Sequence, residues 1–474
     1  MHVNFLSRAV MIYRMKLNPK KRLKELQEQL PKGMLRFDEK TLLAHAGDKW
    51  FATHLPEAVA FPSNVNTVSK ILRYANKHNI PLTARGAGYG YVGGCVPARG
   101  GIALSLKKIN RIKEINENDF VAIVQPGVIT AQLQSNVEKK GLYYPPDPAS
   151  RADCTIGGNI ATNAGGPRCL KYGVTRDYVI GLEVVLPDGS IARLGGRCHK
   201  NKTGFDLSRF FVGSEGMLGI VTEATLKLLP KPSFKGCLSA GFPSMRVAAK
   251  VIKRIFKSGF LPSALEVADA FTLNAAQKRT GSRLLDGCKA HIIVEIDGRE
   301  KSVRSELREL KEIIEEFSPL FVRKGLGDSG VEKFWELRRE FSYSLRDTGL
   351  TKLNNDIVVP RGMLEPLFKF TGQLQKKHGI QVACFGHAGD GNIHVNLMLD
   401  QNDSEQMKRS DAALNDLFKQ VLAWGGVVTG EHGIGLARLP WWDQATSQEV
   451  RDLHVAFKKA VDPKGILNPG KFIK

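Results

Sequence analysis

The sequence predicts an α+β protein built from two main domains and a returning C-terminal segment. Three observations lead there. Residues 100–230 read as short strands (IALSL, FVAIVQPG, YVIGLEVVLPDG, IVTEATLKLLP) separated by the turn signals PDG and GG. Pro230-Lys231-Pro232 then breaks the run. Beyond it strands alternate with amphipathic helices, the pattern of an antiparallel sheet backed by helices. The length of 474 residues is enough for two to four domains of roughly 100–200 residues each.

Residues 1–50 are expected to form a basic helical segment. Its leader, MHVNFLSRAVMIYRMK, has Arg8 and Arg14 within its apolar stretch and no small-residue cleavage site, so it reads as a basic leader or upstream start site rather than a signal peptide. Leu23, Leu26 and Leu30 stand at helical spacing among lysines, which predicts an exposed amphipathic helix. The first domain, 51–232, opens with EAVAFP as a strand. A helix capped by Asn66 follows, with Val68, Ile71, Leu72 and Ala75 on one face, and NIPLTARG is a second strand. The second domain, 233–425, is expected to hold strands at GCLSAGF, HIIVEIDG and VACFGH. Its helices are placed near 244–258, 300–317, 361–378 and 403–424. Residues 426–474 are a separate C-terminal segment, expected to return to the first domain. Their end, VDPKGILNPGKFIK, is too rich in Gly and Pro for a regular element.

Composition excludes several classes. Hydrophobic residues at 42% and charged residues at 24% rule out wholesale disorder. A net charge of +22 attracts polyanions and anionic small molecules. The chain has no zinc-finger spacing, RNA-binding signature or Arg-rich block, so no specific nucleic-acid partner is expected. Seven scattered cysteines without a C-x-x-C argue against a disulfide framework, a zinc ribbon or an iron–sulfur cluster, and for a reducing cytoplasm. No run of 18 apolar residues occurs, so no membrane-spanning helix is expected; the charge suits peripheral docking on an anionic inner membrane face.

Glycines cluster in three places. In RGAGYGYVGG (85–94), Gly88, Gly90 and Gly93 satisfy G-x-G-x-x-G, but Pro97, Gly100 and Gly101 follow and forbid the helix a dinucleotide fingerprint needs. A free-standing loop is expected instead. Backbone N–H groups of Gly86, Ala87, Gly88, Tyr89, Gly90, Gly93 and Gly94 would wrap a pyrophosphate, with Arg85 as counter-charge. In PPDPASRADCTIGGNIATNAGG (145–166), Gly157, Gly158, Ala161, Ala164, Gly165 and Gly166 have little or no side chain. Thr155, Asn159, Thr162 and Asn163 offer hydrogen bonds. Such a backbone can lie flat against a planar ring. GSEGMLGIVTEATLKL (213–228) is a third glycine turn feeding a strand. Three such turns imply one large ligand threaded through them.

A second chemistry lies downstream. His387 and His394 flank a Gly-Asp-Gly-Asn turn in GHAGDGNIHVN, and Glu431 and His432 sit between glycines in TGEHGIG. Two His and one carboxylate with an open position make a catalytic-type divalent metal site, suited to Zn, Mn or Fe. Asp390 reads as a turn residue. In FWELRREFSYSLR, Arg338, Arg339 and Arg346 offer a cation for a carboxylate.

These motifs, A-R-G-A-G-x-G-x-x-G-G, I-G-G-N-I-A-x-N-A-G-G and F-x-G-S-E-G-M-L-G-I-V-T-E-A-T-L-K-L-L-P-K-P, resemble the FAD-binding domain of the vanillyl-alcohol oxidase/p-cresol methylhydroxylase superfamily. The resemblance covers roughly residues 40–474 and is strongest to the flavin-linked 2-hydroxyacid dehydrogenases, the branch of glycolate oxidase and of D-lactate and D-2-hydroxyglutarate dehydrogenases. It implies a two-part FAD-binding domain with an antiparallel-sheet-plus-helices cap domain. The glycine loop would hold the FAD pyrophosphate. Pro148, Ser150, Thr155, Gly157, Gly158, Asn159, Ala161, Asn163, Gly165, Glu215, Gly216, Gly219, Ile220 and Val221 would line the cofactor. Metal ligands would be His387, His394 and Glu431, and His432 the general base. Arg338, in a W-x-x-R step, and Asn396 would bind substrate. Tyr89 lies in the loop where flavinylated members can carry His, so FAD is expected to be non-covalent. Relatives acting on hydroxyglutarate use a Lys near D-x-x-x-P where Asn354 falls here, with Lys352 displaced by two; this puts glycolate or D-lactate ahead. The expected activity is oxidation of a small 2-hydroxyacid to the 2-oxoacid, with electrons leaving to a separate subunit, a quinone or another non-oxygen acceptor. D-2-hydroxyglutarate dehydrogenase is the alternative enzyme. A non-catalytic basic flavin- or nucleic-acid-binding protein is the alternative of another class.

Overall fold

The computed structural model describes residues 19–400 and 402–473; the basic leader lies outside them. Among these residues the fold is α+β and divides into two compact units. One comprises the chain up to Gly165, Val174–Lys231 and the chain from Glu431. The other comprises Gly166–Gly173 and Pro232–Gly430. Among the described residues the chain passes between them at Gly165–Gly166, Gly173–Val174, Lys231–Pro232 and Gly430–Glu431.

The first unit holds two larger sheets and a two-stranded ribbon of Leu142–Tyr143 with Leu229–Pro230. In the smaller, Ala58–Ala60, Ile102–Ser105 and Leu82–Arg85 run parallel, with Leu35–Arg36 added antiparallel at one edge. The larger is antiparallel, in the order Ile112–Asn116, Val121–Val124, Ile220–Lys227, Val179–Val185, Ile191–Gly195. Two expectations are corrected here. The helix Val65–His78 is capped by Asn64, whose Oδ1 accepts from the Thr67 N–H at 3.0 Å, and not by Asn66, which lies inside the first turn. The helix Pro19–Glu28 is not simply exposed: Leu23, Leu26 and the following Leu30 are buried in one core with Ile71, Leu72 and Ala75. A leucine stripe at helical spacing is stabilised more by that apolar partner than by solvent.

The second unit is built on a seven-stranded antiparallel sheet. Its order is Phe321–Leu326, Phe234–Phe242, Ala290–Gly298, Ala264–Asp269, Gln381–His387, Asn392–Leu399, Thr351–Val358. Helix Glu300–Glu315 packs Val303 and Leu307 against Gly236 on one face. Helix Gly327–Arg346 covers the other, packing Val331 and Trp335 with Ala264 and Ile293. Register places Glu266 opposite His387, Asp356 opposite His394, and Asn354 opposite Asn396. Cross-strand partners share a face, so these polar groups lie on the face that helix Gly327–Arg346 covers.

None of the seven cysteines forms a disulfide. Among the described residues no helix is long and apolar enough to cross a membrane.

Candidate active site

In the first unit the three glycine turns converge. No helix begins between Arg85 and Ile102, so the first turn is a free-standing loop. Gly86 lies against Thr155, where a Cβ would come within 2.5 Å of Oγ1. The third turn is stitched to the second: Gly213 N–H donates to the Ile160 carbonyl and Glu215 N–H to that of Ala161, both at 2.8 Å. The second turn is not a flat ribbon. Ile156–Thr162 is a short helix capped by Thr155, with Asn163 left-handed at its end. Gly158 supplies the N–H that Thr155 caps, and Gly157 permits a close approach to Pro126. Pro148 and Ser150 form the preceding turn, their carbonyls accepting from Arg151 and Cys154.

Several expected cofactor residues have other partners. Arg85 is buried; its Nη1 donates to the Gly47 carbonyl at 2.6 Å and its guanidinium lies over Gly88, so it braces the loop. Asn159 Nδ2 donates to Thr130 Oγ1 at 2.7 Å, and Asn163 Oδ1 accepts from the Arg176 N–H. Gly219 is required by Val184, and Ile220 and Val221 open a sheet strand. Tyr89 receives the Lys49 ammonium 4.7 Å from its ring centroid.

Glu215, expected to line the cofactor, faces the C-terminal segment. Its carboxylate is committed to the chain: Oε1 accepts from Ile434 N–H at 2.7 Å and Oε2 from Gly435 N–H at 2.9 Å. Burial pushes its pKa up, and those two N–H groups oppose the shift. The segment after Glu431 is thereby fastened to the glycine turns. Gly433 has φ +82°, and a Cβ there would stand 2.7 Å from Glu215 Oε1; at Gly435 it would stand 2.3 Å from the Val92 carbonyl. The His432 ring lies against Tyr91 of the glycine loop, 5.2 Å between centroids. Asn468 Nδ2 donates to the carbonyls of Gly94 and Glu215, and Lys471 Nζ to that of Val96.

In the second unit Glu266 is the hub. This fully buried carboxylate accepts from Arg338 Nε through Oε2 and pairs with His387 Nδ1 through Oε1, each at 2.5 Å. Burial alone would raise its pKa; Arg338 and His387 outweigh that and hold it down to about 2. The Arg338 guanidinium also lies 4.9 Å from the Phe385 ring centroid. Arg339, by contrast, is exposed and paired with Glu332. His387 and His394 meet nearly edge to face, 5.6 Å between centroids. Asp356 Oδ1 accepts from Asn392 Nδ2 and lies 3.7 Å from His394 Nδ1, while Oδ2 accepts from Gly430 N–H at 3.0 Å. Glu431 is thus one peptide bond beyond an anchored residue. Asn396 is buried; Nδ2 donates to the Ala383 and His394 carbonyls, and Oδ1 meets no hydrogen-bond donor among the described residues.

Sequence reasoning missed three supporting groups. Glu266 interrupts an apolar strand, ALEVAD, and a lone charge at an inward position was its only signal. Glu295 stands likewise in HIIVEIDG; it takes both Nε and Nη2 of Arg168 at 2.8 Å, and Trp335 Nε1 at 2.6 Å. Burial would raise the Glu295 pKa, and Arg168 reverses this to a net lowering. Asp48 takes the Gly93 N–H at 2.9 Å and had no local signal.

Residues 231–472 match the family described as FAD linked oxidases, C-terminal domain, and residues 56–195 match the FAD binding domain. Glycolate oxidase subunit GlcD of Bacillus subtilis (strain 168) is 40% identical over 417 residues, covering 88% of this chain and 89% of that protein. D-lactate dehydrogenase of Anaerostipes hadrus is 32% identical, covering 95% and 96%. The fold is similar to that of p-cresol methylhydroxylase with substrate bound, at a TM-score of 0.78, 19% identity and 96% coverage of each chain.

Proposed function

We propose, from the premise that this chain belongs to the FAD-linked oxidase family, that it oxidises a small 2-hydroxyacid, glycolate or D-lactate, to the 2-oxoacid. It is an FAD-dependent oxidoreductase, and the reading as a non-catalytic basic binder falls away. The observation that carries the substrate class is the Glu266 bridge. It ties the buried Arg338 to His387, so a cation for a carboxylate stands beside one of the expected metal ligands.

The donor set fits such an ion. Two imidazoles and a carboxylate would leave positions open for substrate. His387 gives Nδ1 to Glu266, which assigns Nε2 to the metal, the usual carboxylate–histidine arrangement. Asp356 supports His394 and holds the turn that presents Glu431. A divalent ion, when bound, lowers the pKa of the substrate hydroxyl, and FAD, when bound, accepts the hydride.

The chain's own residues do the rest. Arg338 holds the substrate carboxylate, and the Asn396 amide, with a buried acceptor to spare, holds the substrate's polar edge. His432 takes the hydroxyl proton; imidazole titrates near working pH, and this ring is fixed against the glycine loop by Tyr91 and the Glu215 clasp. FAD is held without a covalent bond, since the loop offers Tyr89 rather than His, and acid precipitation should release it intact. Electrons pass to a separate subunit or a quinone. A net charge of +22 supports a peripheral position on an anionic membrane surface in the cytoplasm, and flotation with anionic vesicles checks it.

A second reading, D-2-hydroxyglutarate as substrate, is favoured by Lys352. It shares the face of Asn354 and Asp356, is half-buried, and reaches Ser342 Oγ at 2.8 Å. Anaerobic bleaching of the bound flavin by glycolate, D-lactate, L-lactate and D-2-hydroxyglutarate separates the two. Glycolate or D-lactate should bleach fastest; no bleaching by any of the four overturns both readings.

A further inference from the structure

We propose that Glu266 is a positioning residue that sets the substrate-carboxylate arginine and the metal-holding histidine as one unit, so that neither binds its ligand normally without it. The inference rests on the proposed function above.

Glu266 projects from the strand Ala264–Asp269, which pairs directly with the strand Gln381–His387. Its backbone therefore keeps register with His387. Its side chain also reaches helix Gly327–Arg346, which belongs to a different layer. The two carboxylate oxygens are divided, one to Arg338 Nε and one to His387 Nδ1. A carboxylate's oxygens are separated by only about 2.2 Å, so this division fixes the guanidinium and the imidazole at one separation. The pair is sealed: Glu266 is 1% and Arg338 9% exposed, with Phe341 and Phe385 beside the guanidinium. Water cannot easily replace the carboxylate. Accepting from Nδ1–H also selects the imidazole tautomer whose Nε2 lone pair is available to a metal.

The substitution Glu266→Gln makes the distinction. The amide has one acceptor and one donor where the site needs two acceptors. If its oxygen serves Arg338, its NH2 faces His387 Nδ1 and favours the tautomer with the proton on Nε2, which cannot ligate. If its oxygen serves His387, its NH2 opposes the guanidinium.

The test uses purified flavin-loaded protein and two binding titrations. Free Mn2+ is followed by electron paramagnetic resonance. Oxalate, a carboxylate ligand that cannot be oxidised here, is followed by perturbation of the flavin spectrum. Glu266→Gln should weaken Mn2+ binding by about tenfold or more, and should weaken oxalate binding as well, with flavin content retained. Glu266→Asp keeps the charge but shortens the reach by one methylene; it should also weaken Mn2+ binding, and it serves if the amide variant does not fold. A merely structural Glu266 would lower the melting temperature and leave both dissociation constants of the folded protein unchanged, and that result overturns the inference. Wild-type protein that binds neither probe overturns the functional reading and this inference together. Wild-type binding that is retained in both variants overturns the inference alone.

Discussion

The imidazole of His432 lies 5.2 Å, centroid to centroid, from the phenol ring of Tyr91, which belongs to the glycine loop. A residue near the end of the chain is thereby placed against the glycine loop proposed to hold the cofactor. The placement is not left to ring contact, because Glu215 holds Ile434 and Gly435 by their N–H groups. His432→Ala should retain bound flavin and lose substrate-driven flavin reduction by about a hundredfold or more, the contribution of a positioned general base. Flavin content and single-turnover reduction measured on one preparation check this, and undiminished reduction refutes the role.

Glu215→Ala should destabilise the protein by about 3 kcal/mol, because two buried N–H groups lose a charged acceptor. Glu215→Gln keeps one acceptor and should lose less. Denaturant unfolding followed by flavin fluorescence gives both values. A loss below about 1 kcal/mol for Glu215→Ala would mean that the turn carrying His432 is held by other contacts.

The Arg168–Glu295 pair should behave as a buried ion pair. Arg168→Ala leaves Glu295, 0% exposed, with its charge uncompensated and should cost about 3–5 kcal/mol. Adding Glu295→Gln should recover part of that loss, and a double-mutant cycle in thermal or denaturant unfolding measures the coupling. Additive effects would show that the two side chains act independently.

Lys352 should report on substrate length and on pH. Burial, with Arg346 and Arg338 nearby, pushes its pKa down to about 8 from an ordinary 10.5. From about pH 8 to 10.5 the unfolded chain holds a proton that the folded chain has released, so stability should rise with pH across that window, and Lys352→Met should flatten the rise. If the D-2-hydroxyglutarate reading holds, the same variant should raise KM for that acid about tenfold or more relative to D-lactate. Equal KM changes for both acids would remove Lys352 from the substrate site.

The sequence made the strands and glycine turns legible because period-2 patterning and glycine clustering are local properties. The His387–His394 pair and the Glu431–His432 turn could be seen for the same reason. What it did not reveal is mostly non-local. Glu266 meets an arginine 72 positions and a histidine 121 positions downstream, and Glu215 closes on a turn 219 residues downstream. Thr155 reads as a hydrogen-bonding group, and in the structure it caps the helix Ile156–Thr162, whose Gly157 and Gly158 have low helix propensity but pack closely against Pro126 and Thr155. The Leu23–Leu30 stripe is legible as amphipathic, but nothing local says that Ile71 and Leu72 cover it.

The most direct test is anaerobic single-turnover reduction of the bound flavin by glycolate or D-lactate, followed in one sample as divalent metal is stripped with a chelator and then restored as Mn2+ or Zn2+. Stripping should slow reduction by about a hundredfold or more, with flavin still bound, and restoring the metal should return the rate. Reduction at the original rate in protein shown to be metal-free would contradict the assignment of His387, His394 and Glu431 as the centre that holds the substrate hydroxyl.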